Sequence, residues 1–168
     1  MDLHQALRAA SLPAGLTFQA YRHRTESDLK GAIRTGGAVR LVKGAFAEGK
    51  SIAFTHRREI DENFLRLAGM MLSEEARENG FYPIFGTHDD RIIDRIIRMA
   101  HRRGWPADAY EFEMLYGVRC RYQEQLVRSG AKLRLYLPFG TDWRPYAVRR
   151  VGECPQNAAF LIRSLVRR

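Results

Sequence analysis

Apolar and polar positions follow two rhythms along this chain. Five short segments are either continuously apolar or alternate with period two, and they are rich in β-branched and aromatic residues. They are 16–21 (LTFQAY), 38–42 (AVRLV), 81–85 (FYPIF), 110–114 (YEFEM) and 133–137 (LRLYL), and each predicts a strand. Between them the apolar period is helical. Thr25-Glu26-Ser27-Asp28 has the form of a capping box and predicts a helix that stops near Gly36-Gly37. Ile60, Phe64, Leu67 and Met71 recur on one helical face, and Gly80 supplies a stop. Asp89-Asp90 opens and Arg102-Arg103-Gly104 closes a helix faced by Ile92, Ile93, Ile96, Ile97 and Met99, with charges that suit its dipole at both ends. Further helices are predicted over 121–130, from Pro145 onward, and over about 157–166.

Strands separated by helices imply right-handed crossovers and a parallel sheet, hence an α/β architecture. A doubly wound nucleotide-binding sheet should carry a glycine-rich turn after an early strand, and no strand end here has G-x-G-x-x-G or a P-loop. Instead, chemically capable residues follow the C-terminal ends of successive strands: Gln19 and Tyr21, Arg40 and Lys43-Gly44, Thr87-His88, Leu115-Tyr116-Gly117, then Tyr136 and Phe139. That is the distribution of a (β/α)8 barrel, which usually takes about 250 residues. Five strands in 168 residues predict a partial (β/α)8 barrel of about five β/α units, in a single domain over 1–168.

Composition narrows the function classes. No apolar run approaches a membrane-spanning length, and Met1-Asp2-Leu3-His4-Gln5 lacks the basic start and apolar core of a secretion signal, so a cytoplasmic protein is expected. Cys120 and Cys154 have no ligand-like neighbourhood, which gives a zinc site or a disulfide framework little support. The net charge of +9 raises the question of nucleic acid. The arginines are spread through every helix, however, and no zinc-finger, RNP or helix-turn-helix signature accompanies them, so nucleic-acid binding is not expected.

Two features point to small-molecule chemistry. Arg149 and Arg150 follow Pro145-Tyr146 at a predicted helix start. Such a pair is either a solvated basic face or a clamp whose planar forks match a carboxylate. Arg40 lies inside a strand between Val39 and Leu41, and a guanidinium there needs an anion or acceptor if it points into a barrel.

LTFQAY at 16–21, VRLVKGAF at 39–46, GTHD at 86–89, FEMLYG at 112–117 and the closing Tyr136…Tyr146-Ala147-Val148-Arg149-Arg150, in that order, resemble the C-terminal five strands of the proline dehydrogenase family. These are FAD-dependent (β/α)8 barrels that oxidise L-proline to 1-pyrroline-5-carboxylate, and the likeness runs over essentially the whole chain. It implies hydride transfer from the proline C5 carbon to the flavin, with electrons passed on to a membrane quinone and a peripheral contact at the inner face of the membrane. By resemblance Gln19, Arg40, Lys43, Gly44, Ala45, Thr87 and His88 contact FAD, and Arg40 takes the catalytic position beside the flavin ring. Arg149 and Arg150 clamp the proline carboxylate, while Tyr136, Tyr146 and Leu115 line the pocket. Glu153 either neutralises an arginine or touches the cofactor.

The sequence also departs from the family. Its first three strands, with a lysine that pairs with the substrate carboxylate and an aspartate beside the active-site arginine, have no counterpart before Leu16. The segment Leu3 to Ala10 is expected to be the last turns of a third helix, and Phe46 stands where the family often has tyrosine. Five strands leave two sheet edges and half a barrel interior open, which predicts self-association, complementation by an N-terminal half, and weak activity of this chain alone. A related flavin enzyme acting on hydroxyproline and a non-catalytic fragment are the alternatives.

Overall fold

The computed structural model describes residues 6–7, 10, 14–137 and 139–140. Five strands, β1 (Gly15–Gln19), β2 (Gly37–Val42), β3 (Phe81–Gly86), β4 (Glu111–Leu115) and β5 (Leu133–Tyr136), form one sheet in the order of the chain. All four pairings are parallel. The connections carry α1 (Thr25–Thr35), α2 (Arg57–Met71), α3 (Glu74–Glu78), α4 (Asp90–Arg102) and α5 (Cys120–Arg128). This is the expected succession of β/α units in an open arc, with β1 and β5 at its edges among the described residues.

The period-two pattern sorts each strand between two environments. Val39, Leu41, Phe81, Phe85, Phe112 and Met114 face the helices and form the core with Phe64, Leu67, Met71, Ile93 and Ile96. The positions between them, Arg40, Gly86, Glu113 and Arg134 among others, turn to the opposite face, which in a barrel is the interior. Burying the helix-side residues supplies the stabilisation, on the order of 2 kcal/mol for each large apolar side chain.

The helix signals hold with two exceptions, the first being that the helix of Ile60, Phe64, Leu67 and Met71 ends at Met71, so the stop expected at Gly80 serves the separate short α3. Gly80, at φ +65°, follows α3 and leads into β3, while Ser73 caps α3 by accepting the Ala76 N–H at 3.1 Å. The capping box expected at Thr25 does not form. Thr25 is the first residue of α1, and its hydroxyl donates to the Gln19 carbonyl at 2.6 Å. A tertiary bond thus takes the oxygen that local pattern assigned to the helix end. Of the segment Leu3 to Ala10, only Ala6, Leu7 and Ala10 are described, with helical backbone at Ala6 and Leu7. The helices expected from Pro145 and over 157–166 lie outside the described residues.

Candidate active site

Register places the candidate residues at one end of the sheet. Gln19 pairs with Val42, Val42 with Gly86, Gly86 with Glu113 and Glu113 with Arg134, while Leu115 pairs with Tyr136 one layer beyond. Arg40 lies one layer below, opposite Thr17 and Ile84. Its guanidinium reaches upward across β3 and ion-pairs with Glu113.

Gly86 makes that crossing passable. A Cβ built there would lie 2.9 Å from Val42 Cγ1 and 3.4 Å from Arg40 Nε. The first distance is inside van der Waals contact with a β-branched side chain that has little rotamer freedom. A second ion pair lies toward the β4 and β5 starts. Glu111, 1% exposed, accepts from Arg134 Nε at 2.8 Å and Nη2 at 3.2 Å, and from the Tyr82 hydroxyl at 3.2 Å. Arg134 Nε lies 3.9 Å from Glu113 Oε1 as well. Arginine and glutamate therefore alternate across the inner face, and each buried carboxylate has a cation.

His88 is held as a neutral imidazole. Its Nε2 accepts the Leu115 backbone N–H at 2.8 Å, so that nitrogen carries no proton. Burial lowers its pKa first, and the cations of Arg119 and Arg40 lower it further. Arg119, in the left-handed region at φ 56°, donates to the His88 carbonyl at 3.0 Å and ion-pairs with Asp90. That strap ties the loop after β4 to the loop after β3. Thr87 is buried and its hydroxyl accepts the Asp89 N–H at 3.2 Å.

Lys43 occupies the loop after β2, where its ammonium pairs with Asp61 and, at 3.1 Å, with Asp89. Burial pushes the Asp89 carboxyl up, but the Lys43 hydrogen bond and charge outweigh it, and the net shift is downward. Gly44 has φ +112°, and a Cβ there would run into the Tyr21 ring. Ala45 is exposed beside it.

The structure therefore brings Gln19, Arg40, Lys43, Gly44, Ala45, Thr87, His88, Leu115 and Tyr136 to the strand-end loops and the last layers of one sheet. Tyr146, Arg149, Arg150 and Glu153 lie outside the described residues. Four further residues shape the site. Glu111 and Glu113 carry a readable signal, since two acids two apart in an otherwise apolar strand must share its polar face. Gly86 is legible only once register sets it between Arg40 and Glu113, and nothing in the sequence marks Arg119 as a strap.

A family model for proline dehydrogenase matches residues 2–163. The chain belongs to the proline dehydrogenase family. It is 36% identical over 168 residues to proline dehydrogenase 2 of Bacillus subtilis strain 168, covering all of this chain and 54% of that protein. It is 37% identical over 153 residues to the proline dehydrogenase of Deinococcus radiodurans, covering 91% of this chain and 48% of that protein. Among solved structures, proline utilization A from Bdellovibrio bacteriovorus, inactivated by N-propargylglycine, superposes with a TM-score of 0.79 at 26% identity. That match covers 89% of this chain and 18% of the other. This member of the proline dehydrogenase family thus spans about half the length of the curated relatives it matches, and its five strands belong to the family's barrel.

Proposed function

We propose that the chain forms the FAD- and proline-binding part of a proline dehydrogenase, which oxidises L-proline to 1-pyrroline-5-carboxylate and passes the electrons to a quinone. The observation that carries this reading is the Arg40 guanidinium, held by Glu113 across the gap at Gly86 on the polar face of the sheet. Its side chain stays 37% exposed, so one side of a fixed cation is open to a ligand. Gln19 and the neutral His88 add uncharged polar groups, and the donor set fits a flavin, whose ring offers both acceptors and a donor. Bound FAD supplies the acceptor for the two electrons and the hydrogen removed from the substrate.

The chain's own residues bind and orient. Arg40 places positive charge where negative charge accumulates during oxidation. His88 presents no charge of its own to compete with it. The backbone at Gly44 and Ala45 and the hydroxyl of Thr87 are the remaining cofactor contacts in this reading. Lys43, already shared by Asp61 and Asp89, acts chiefly by fixing that loop against α2 and the start of α4. Arg149 and Arg150 clamp the substrate carboxylate, and Tyr136, Tyr146 and Leu115 close on the ring. The protein works in the cytoplasm, at the inner face of the membrane where a quinone is reached. Among the described residues no helix is long and apolar enough to cross a membrane.

The span of about half the relatives' length favours one second reading, a fragment that turns over only with an N-terminal half supplied. The test is titration of purified chain with FAD, alone and with the N-terminal half of a relative added as a separate polypeptide, followed by proline-dependent dye reduction. Saturable flavin binding, with turnover on proline above hydroxyproline and a loss of about a hundredfold or more in R149M, is the expected outcome. Absence of flavin binding under both conditions overturns the proposal.

A further inference from the structure

The turn that leads from β4 into α5 is an unfavourable piece of backbone. Gly117 has φ +82° and Arg119 has φ 56°. Glycine takes such angles freely, but a residue with a Cβ does so only where its surroundings hold it there. The sheet does not supply that hold beyond the start of the turn, where the Tyr116 N–H donates to the Tyr136 carbonyl at 2.9 Å.

Gln123, in the first turns of α5, supplies it from below. Its side chain is buried, and both hydrogens of its amide nitrogen are used: Nε2 donates to the Leu115 carbonyl at 2.9 Å and to the Val118 carbonyl at 2.7 Å. Those carbonyls stand at the two ends of the turn, so one side chain ties both ends to the helix. On its other side Leu115 is held by His88, whose Nε2 accepts the Leu115 N–H at 2.8 Å. The backbone on either side of the Leu115 Cα is thus fixed by two side chains, of which His88 belongs to the candidate site and Gln123 does not touch it.

We propose that Gln123 is a positioning residue for the substrate pocket, and that through Leu115 it sets the size of ring the pocket accepts. This rests on the reading above, in which Leu115 and its register partner Tyr136 close on the proline ring. Without the glutamine amide, the Leu115 and Val118 carbonyls lose their donor and the turn is free to relax away from α5. Leu115 then withdraws with its backbone. A five-membered ring loses a packing partner, while a six-membered ring gains room. Gln123 holds no reacting atom, so its loss weakens binding of the ring and leaves the chemical step largely intact.

The experiment compares wild type with Gln123→Met, which keeps the length of the side chain and removes the donor. The full chain is loaded with FAD and supplemented with the same N-terminal half, and ring preference is read twice. One reading is kcat/KM on L-proline and on its six-membered homologue L-pipecolate. The other, which needs no turnover, is the change in flavin absorbance on titration with cyclopentanecarboxylate and cyclohexanecarboxylate. Wild type should favour the smaller ring by about tenfold or more. In Gln123→Met the KM for proline should rise about tenfold with kcat within about twofold, FAD affinity should be unchanged, and the preference should narrow about fivefold. Preference is a ratio, so a partly unfolded sample cannot mimic its change. A wild-type preference in Gln123→Met, or an equal loss on both rings, overturns this inference alone. A wild type that binds no FAD, or FAD and neither ring, overturns the functional reading and this inference with it.

Discussion

His88 is fixed by two demands that agree. Its Nε2 must be free of a proton to accept the Leu115 N–H, and burial together with the Arg119 and Arg40 charges disfavours the second proton. The folded protein therefore holds that proton less tightly than the unfolded chain, whose histidine titrates near 6.5. Above that pH neither state is protonated and His88 adds no slope. As pH falls below it, the unfolded state takes up a proton that the folded state refuses, so stability declines until the lowered folded pKa is passed. Urea midpoints measured between pH 7 and 5 should show this decline in wild type and a shallower one in His88→Gln, whose amide oxygen can still accept but does not titrate. His88→Ala leaves the Leu115 amide without its acceptor and should cost about 1–3 kcal/mol at pH 7. An unchanged slope in His88→Gln would show that the imidazole is not the titrating group.

Within β4, side chains alternate between two solvents. Phe112 and Met114 enter the apolar core, while Glu111 and Glu113 meet arginines on the other face. The Glu111 and Arg134 pair is lopsided, because Glu111 is almost wholly buried and the Arg134 side chain stays 65% exposed. Removing either partner therefore has unequal consequences. Arg134→Met strands a buried carboxylate on the Tyr82 hydroxyl and should cost about 2–3 kcal/mol, below the full penalty for an enclosed pair because solvent reaches that edge. Glu111→Gln keeps an acceptor and leaves Arg134 to solvent and to Glu113, at about 1 kcal/mol. Chemical denaturation of the two variants orders them, and equal losses would mean that the pair acts symmetrically. This strand also shows what was legible in sequence. Apolar period located all five strands and four of the connecting helices, because burial on one side imposes that period directly. Arg40 was legible as a cation needing a partner, but its partner was not, since Glu113 becomes its neighbour only through the β2, β3 and β4 register and the missing side chain at Gly86. Thr25 misled for the same reason: its hydroxyl has two acceptable uses, and only the tertiary fold chooses the Gln19 carbonyl.

Over the whole molecule, the open sheet leaves its consequences at the strand ends. Among the described residues β1 and β5 each pair on one side only, and the loops at the C-terminal ends of the strands carry exposed aromatics: Phe46 at 67%, Tyr116 at 56% and Phe139 at 90%. These rings come from three separate connections, after β2, β4 and β5, so they rim the same end of the sheet that gathers Arg40, His88 and Leu115. Single exposed aromatics are ordinary, but several at one end, beside unpaired strand edges, form a surface that loses free energy in water and gains it on contact. The net charge of +9 opposes close approach of two copies, and that repulsion is screened at moderate salt. Sedimentation velocity at fixed protein concentration should therefore show the weight-average mass rising with added salt, opposite to the salt response of an assembly held by ion pairs. Phe46→Ser/Phe139→Ser removes the two most exposed rings among the described residues while touching little of the core, so its unfolding midpoint should stay within about 0.5 kcal/mol of wild type and its mass should no longer rise. A wild-type mass that stays monomeric at every salt concentration would show that the rim is inert.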